Sequence, residues 1–369
     1  MSRILLKLAI MKKWGSFFVL SFLIILLAGC GDFFYFSKMG WYQGSVHFHS
    51  VSVKDLLEDA GTDAQAKEKI RFIHEVKRYG EKQLGLTATN NYTTFVEVKG
   101  PILYVVSAAE KDRLKPYSWS FPVIGQVTYK SFFTREDAVN EKTLLDSKGY
   151  DTHMQRAGAY STLGWLKDPI LSSMLEWDHA PLANLILHEM THGTIYIKGH
   201  TDFNEQAATF VGNQGSINFL TEKYGANSKQ VAFAKQLQED DLLFGHWIDQ
   251  ACRRLSDFYE KDVSKEEKVK AREAIFQSMK EEFRGIKPRL QTDTYSTFDR
   301  VPLNNAVLLA YHRYIHRLSS FGPVYDYFDR DLGVVVEFFK WIQASRENPS
   351  AYLERWMQAK GVIVPASLR

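Results

Sequence analysis

The sequence predicts an α+β protein that is predominantly helical, with a small mixed β-sheet in its N-terminal half and a helical C-terminal half. Short runs rich in Val, Ile, Thr, Tyr and Phe, set between Gly- and Pro-containing turns, are confined to residues 92–160. From Gly199 onward the apolar residues recur at helical spacing, over long charged stretches. With 45% hydrophobic and 14% aromatic residues in 369 positions, the chain can bury a large core. No internal repeat and no clear linker divides it after residue 29. Residues 30–369 are therefore expected to form one unit, in which 30–198 carry the sheet and 199–369 make a helical lobe.

The first 29 residues read differently. Lys7, Lys12 and Lys13 precede an uncharged run of 16 residues, 14–29, that ends at Cys30. A basic start, a short apolar stretch and small residues at its end describe an export signal, and the run is short for a stable membrane span. Leu27-Ala28-Gly29-Cys30 resembles a bacterial lipobox, which implies cleavage before Cys30 and lipidation of that cysteine. An uncleaved signal anchor is the alternative. Either arrangement tethers the protein to a membrane of the cell envelope, outside the cytoplasm, with the periplasm as the expected compartment. Once Cys30 carries lipid, Cys252 is the remaining thiol and no intramolecular disulfide can form. A net charge of +3 without a basic block gives no argument for a nucleic-acid partner.

Residues 55–84 have helical period, with Ile70, Ile73, Val76, Lys77 and Tyr79 marking one face. Strands are expected at 92–98, 102–106 and 123–129, then a helix at 136–148 and a further strand at 150–160. The 150–160 run is the candidate edge strand that could hold an extended peptide by main-chain pairing. Residues 230–284, with spaced Leu, Phe and Trp among many charges, are expected to form an exposed helical hairpin. Val301-Pro302-Leu303-Asn304-Asn305 opens another helix, which continues through Tyr311, His312, Tyr314 and His316.

Between sheet and helical lobe lies the most informative stretch, His188-Glu189-Met190-Thr191-His192. Leu185, His188, Glu189 and His192 follow the 3 and 4 spacing of a helix crossing a core, and Pro181 suits its first turn. Residues i and i+4 share one helical face, so both imidazoles can reach a single metal ion. The bland alternative is a pair of core histidines satisfied by hydrogen bonds. A catalytic zinc site needs a third protein ligand. Downstream, Asn204-Glu205-Gln206-Ala207-Ala208 stands near the start of a helix beginning at Thr201 or Asp202, and Glu205 is the candidate. Its alternative role is an ordinary capping box with Asp202. His200 is a rival ligand with poor spacing. Asp202 or Asn204 could orient a ligand histidine from behind.

The His-Glu-x-x-His pattern resembles that of zinc peptidases, and a Glu supplied by the following helix, within an Asn-Glu pair, resembles the gluzincins among them. The chain as a whole resembles a family of predicted bacterial aminopeptidases, membrane-attached and zincin-like. The resemblance covers nearly all of the chain after residue 29. It rests on Glu81-Lys82-Gln83-Leu84-Gly85-Leu86, Trp119-Ser120-Phe121-Pro122-Val123-Ile124-Gly125, Ala159-Tyr160-Ser161-Thr162-Leu163-Gly164-Trp165-Leu166-Lys167-Asp168-Pro169, the two metal segments and Leu303-Asn304-Asn305-Ala306. It implies one Zn²⁺ held by His188, His192 and Glu205, with Glu189 as general base and a peptide as substrate. Tyr160, Tyr311 and Tyr314 are candidate donors to the developing oxyanion, with Tyr160 preferred for its place just upstream of the metal helix. Glu176, Asp178 and Asp168 are candidates for holding a substrate ammonium. A zinc endopeptidase, or a non-catalytic envelope lipoprotein with a structural metal, remains the alternative.

Overall fold

The structure, a computed structural model, describes residues 30–98, 100, 103–121, 125–157, 167–316 and 318–363. The chain divides into two compact units, Met1–Ser50 and Val51–Arg369. In the first, helix α1 spans Cys30–Phe48 and so begins at the cysteine expected to carry lipid. The export signal expected over 1–29 lies outside the described residues. No helix among the described residues is long and apolar enough to cross a membrane.

The second unit opens with β1 (Val51–Ser52), α2 (Val53–Glu58) and α3 (Ala64–Gln83). The helix expected over 55–84 is thus interrupted. Asp59 accepts from the Gly61 amide at 3.0 Å and the Thr62 hydroxyl at 3.2 Å, closing a turn, and Asp63 restarts the helix by accepting from the Ala66 amide at 2.9 Å. Ile70, Phe72, Ile73 and Val76 then form the buried face of α3.

Among the described residues the strands are β1 and, in order, β2 (Thr94–Val96), β3 (Leu103–Ala109), β4 (Trp119–Phe121), β5 (Gly125–Val127), β6 (Lys130–Phe132), then helix α4 (Arg135–Ser147), β7 (Asp151–Ala157) and β8 (Ile170–Leu171). They build three small sheets where the sequence predicts one. β1-β2-β8 is mixed, β6-β3-β7 is antiparallel, and β4-β5 is an antiparallel pair. The expected strand 92–98 shrinks to three residues because both of its ends have other obligations. Tyr92 sits at φ 64°, and the Val98 amide donates to the Ser172 hydroxyl at 2.9 Å. The expected run 123–129 is likewise split, its described part passing from β5 through Thr128 and Tyr129 to β6. Among the described residues β7 pairs with β3 and lies at an edge of its sheet, as expected for 150–160; residues 158–160 lie outside the described residues.

From there the chain is helical: α5 (His179–His192), α6 (Thr201–Tyr224), α7 (Lys229–Tyr259), α8 (Lys265–Ile286), α9 (Asn305–Ile315), α10 (Leu318–Tyr327), α11 (Leu332–Ser345) and α12 (Pro349–Lys360). α5 and α6 are the central pair. Residues 203–213 of α6 are buried on every side, as in a helix that forms the core itself. Glycines let the pair close up. A Cβ on Gly212 would lie 2.8 Å from Asn184 Oδ1 and 3.0 Å from the Asn184 carbonyl oxygen, and one on Gly215 would lie 2.8 Å from Leu187 Cδ1.

The hairpin α7–α8 is not the exposed projection its charges suggest. A capping box joins Ser264 and Glu267 at the start of α8, while Phe244, Trp247, Phe276 and Phe283 face inward and are buried. Phe244 stacks on Tyr295 with ring centroids 4.0 Å apart and meets Phe298 at 4.9 Å and Tyr311 of α9 at 5.5 Å. The stretch reads as solvated because its charged face dominates the composition; the opposite face carries an aromatic core. The Asn304-Asn305 segment docks α9 on the sheet. Asn304 accepts from the Val307 amide as N-cap and donates to the Thr152 carbonyl, and Asn305 donates to the Glu110 carbonyl while its amide reaches Asp151. Asp151 is also gripped at both oxygens by Arg272, at 2.7 and 2.9 Å, both side chains being buried.

Candidate metal centre

α5 buries Leu182, Ala183, Ile186, Leu187 and Met190, which fixes its rotation and turns His188 and His192 towards α6. It ends at Gly193, whose amide donates to the Glu189 carbonyl, and a short loop leads to α6. In that loop the Ile197 amide donates to Asn204 Oδ1 and Asn204 Nδ2 donates to the Ile197 carbonyl, both at 2.9 Å. This clasp sets the start of α6 and places Glu205, the next residue, over the two histidines.

His188 Nε2 and His192 Nε2 are 3.1 Å apart, and Glu205 Oε2 lies 3.5 Å from the first and 3.3 Å from the second. The three donor atoms form a nearly equilateral triangle. Ligands about 2.1 Å from a tetrahedral zinc ion stand about 3.4 Å from one another, a spacing that the observed edges bracket. Charge-assisted hydrogen bonds would draw the carboxylate in to about 2.7–2.9 Å. Two imidazole nitrogens and one carboxylate oxygen are also the donor set zinc favours, so the residues fit the ion. The side chains of Glu205 and His192 are 5% and 9% exposed, against 16% for His188, so the trio is most exposed at His188.

Electrostatics agree with a cation-binding trio. Burial raises the Glu205 carboxyl, but the facing imidazoles outweigh it and hold the group far below the usual carboxylate range. Burial lowers His192, yet the Glu205 carboxylate outweighs that and moves the imidazole upward. The second Glu205 oxygen, Oε1, accepts from the Tyr129 hydroxyl at 3.2 Å. Arg313 of α9 lies over the Tyr129 ring at 5.1 Å and donates to the Thr128 hydroxyl and carbonyl at 3.1 and 3.2 Å. Burial, then the Glu205 charge, push the Tyr129 and Tyr314 hydroxyls well above their ordinary values.

Glu189 lies beside this trio, half-buried, close enough for its charge to act on Tyr92, Tyr129, Tyr314 and His192. The Tyr314 ring is 6.4 Å from that of His188. Tyr311, by contrast, is in the aromatic core, 5.1 Å from Phe298. Tyr160 lies outside the described residues.

The supporting residues differ from expectation. Asn204 bonds both polar groups of Ile197, and Asp202, 55% exposed, faces Arg313 at 3.7 Å. No capping box joins Asp202 to Glu205, since the N-cap of α6 is His200 without a side-chain bond. His200 is not among the gathered donors. Of the ammonium candidates, Asp168 is buried on Asn91 at 3.0 Å, while Glu176 and Asp178 precede α5, whose rise puts Asp178 about 15 Å from His188. Tyr129 and Arg313 had no local signal in the sequence, their partners being 76 and 185 positions away.

Among protein families, a model described as "Putative aminopeptidase" matches residues 34–356. No curated protein and no solved structure matches the chain.

Proposed function

The chain belongs to that aminopeptidase family, and from this premise we propose that it is a zinc-dependent peptidase, an aminopeptidase acting on peptides in the bacterial envelope, tethered through lipid on Cys30. One observation carries the zinc reading: the triangle of His188 Nε2, His192 Nε2 and Glu205 Oε2. A zinc ion in that set supplies Lewis acidity, polarising a peptide carbonyl and acidifying water. Glu189 sits next to the first ligand and takes the proton of the attacking water, then delivers it to the leaving amine. Tyr314 stays protonated because burial opposes its ionisation, so its hydroxyl is a donor for the oxyanion. Tyr160 keeps the same proposed role from its place in sequence. Tyr129 holds the far oxygen of Glu205 and so fixes the ligand's orientation. The edge position of β7 among the described strands offers main-chain pairing to an extended peptide.

The test is Glu189→Gln with the metal content measured alongside. Zinc should remain at one equivalent in this centre while hydrolysis of short peptides disappears; unchanged turnover removes Glu189 from its role. Peptides with free and acetylated N-termini then separate the readings. Loss of cleavage on acetylation supports an aminopeptidase, and indifference to it supports an endopeptidase.

A further inference from the structure

We infer a second divalent-metal site, formed by Asp249 of α7 with His312 of α9 and His316, the C-cap residue that follows that helix. His312 and His316 repeat the i,i+4 spacing of the first centre, and their rings stack with centroids 4.0 Å apart and planes 19° from parallel. Asp249 Oδ1 reaches both, 2.7 Å from His316 Nδ1 and 3.3 Å from His312 Nε2. All three donor atoms lie within 4.8 Å of one another. An ion can touch all three once the carboxylate retreats slightly from His316. Their side chains are 13%, 18% and 24% exposed, sheltered yet open to entry.

The chemistry is the same as at the first centre: an imidazole pair four residues apart, here on the last turn of a helix and its C-cap, with a carboxylate from the helix packed against it. Such an N,N,O set favours Zn²⁺ and Co²⁺ over the hard cations Ca²⁺ and Mg²⁺, which take oxygen. The frame around it is tight. Gly245, one turn before Asp249, brings α7 so near α9 that a Cβ there would lie 3.1 Å from the Ile315 carbonyl oxygen. The site is separate from the first centre because Tyr314, which faces His188, is two residues from each histidine and so lies about 160° round the helix from both. A metal here staples α7 to α9, the helix that carries Arg313 and Tyr314. It stabilises the folded chain by mass action.

The experiment counts Co²⁺ bound per chain after chelator stripping, reloading and removal of loose metal. Wild type should hold two equivalents. His188→Gln/His192→Gln, which leaves the second cluster untouched, should hold one, and X-ray absorption of that sample should show two imidazoles per cobalt. His316→Gln in the wild-type background should lower the count from two to one while circular dichroism stays native. If His316→Gln fails to fold, the doubly substituted first-centre variant still decides. A cobalt-free first-centre variant, a count unchanged by His316→Gln in a folded protein, or an absorption spectrum without imidazole each overturns the site. Because the count does not depend on turnover, failure of the peptidase reading would leave this result standing, and the converse.

Discussion

Gly212→Ala tests whether the close approach of α5 and α6 is what aligns the proposed metal ligands. The new methyl would stand 2.8 Å from Asn184 Oδ1, 3.0 Å from the Asn184 carbonyl oxygen and 3.3 Å from His188 Cβ. Asn184 cannot simply swing aside, because its amide donates to Asn213 Oδ1 and the second contact is backbone. The helices must therefore part by a few tenths of an ångström. Overpacking of this kind costs about 1–3 kcal/mol, whereas exchanging helical Gly for Ala recovers about 0.5–1 kcal/mol. A net loss of about 0–2.5 kcal/mol, centred near 1, is expected, which lowers the melting temperature by about 1–2 °C in a chain of this size, and by no more than about 3.5 °C. Zinc affinity should fall as well, since Glu205 on α6 moves relative to both histidines on α5. Gly285→Ala is the matched control: its Cβ would meet nothing within 4 Å, so the same exchange should stabilise by about 0.5–1 kcal/mol. Calorimetry of the chelator-treated proteins separates the stability effect from metal loss. If Gly212→Ala melts at or above wild type and binds zinc equally well, the glycine contact does not set the geometry.

Removing only the hydroxyl in Tyr314→Phe should cut kcat about 10²–10³-fold with little change in KM, and an unaltered kcat would take Tyr314 out of oxyanion stabilisation. Tyr129→Phe leaves Glu205 Oε1 without its donor; zinc affinity, read by competition with a chromophoric chelator, should drop about 10–100-fold, and an unchanged affinity would make that contact incidental. In cells, Cys30→Ser should move the protein out of the lipid-anchored membrane fraction, and the mass of the mature N-terminus should lose its acyl groups; an identical mass would end the lipoprotein reading.

The histidine pair was legible in the sequence because its information is local. His188 and His192 share a face by periodicity alone, and the apolar residues between and before them fix which way that face turns. The helical majority was legible for the same reason. Strand pairing was harder, since where a strand stops depends on distant partners: the Val98 amide is claimed by Ser172, and Tyr92 pairs with the Asp168 carbonyl from a left-handed conformation. The aromatic core under α7 and α8 was masked by charge count, which averages over both faces of a helix. The polar supports of the centre were out of reach for a further reason. Tyr129 and Arg313 come from a strand and a helix far apart in sequence, and nothing in their neighbours marks them.

Glu205 marks the boundary between the two kinds of information. From sequence it was the candidate third ligand with a helix cap as its alternative role, because α6 is buried all round and its apolar pattern cannot say which residue faces α5. Rotation of that helix is decided at two points. Asn204 clasps both polar groups of Ile197, locking the first turn to the loop, and Gly212, two turns on, is the place where α6 can touch Asn184 and His188. With both fixed, Glu205 has no freedom to serve as its own helix's cap and is delivered, ionised and nearly buried, to the imidazole pair. The Asn-Glu pair therefore divides its labour: the amide orients the helix, and the carboxylate meets the histidines. On this account Asn204→Ala should weaken metal binding although Asn204 touches no ligand ring, and Asn204→Asp, which keeps the acceptor for the Ile197 amide but loses the donor, should fall between Ala and wild type. Equal metal affinity in all three would mean that packing alone rotates α6.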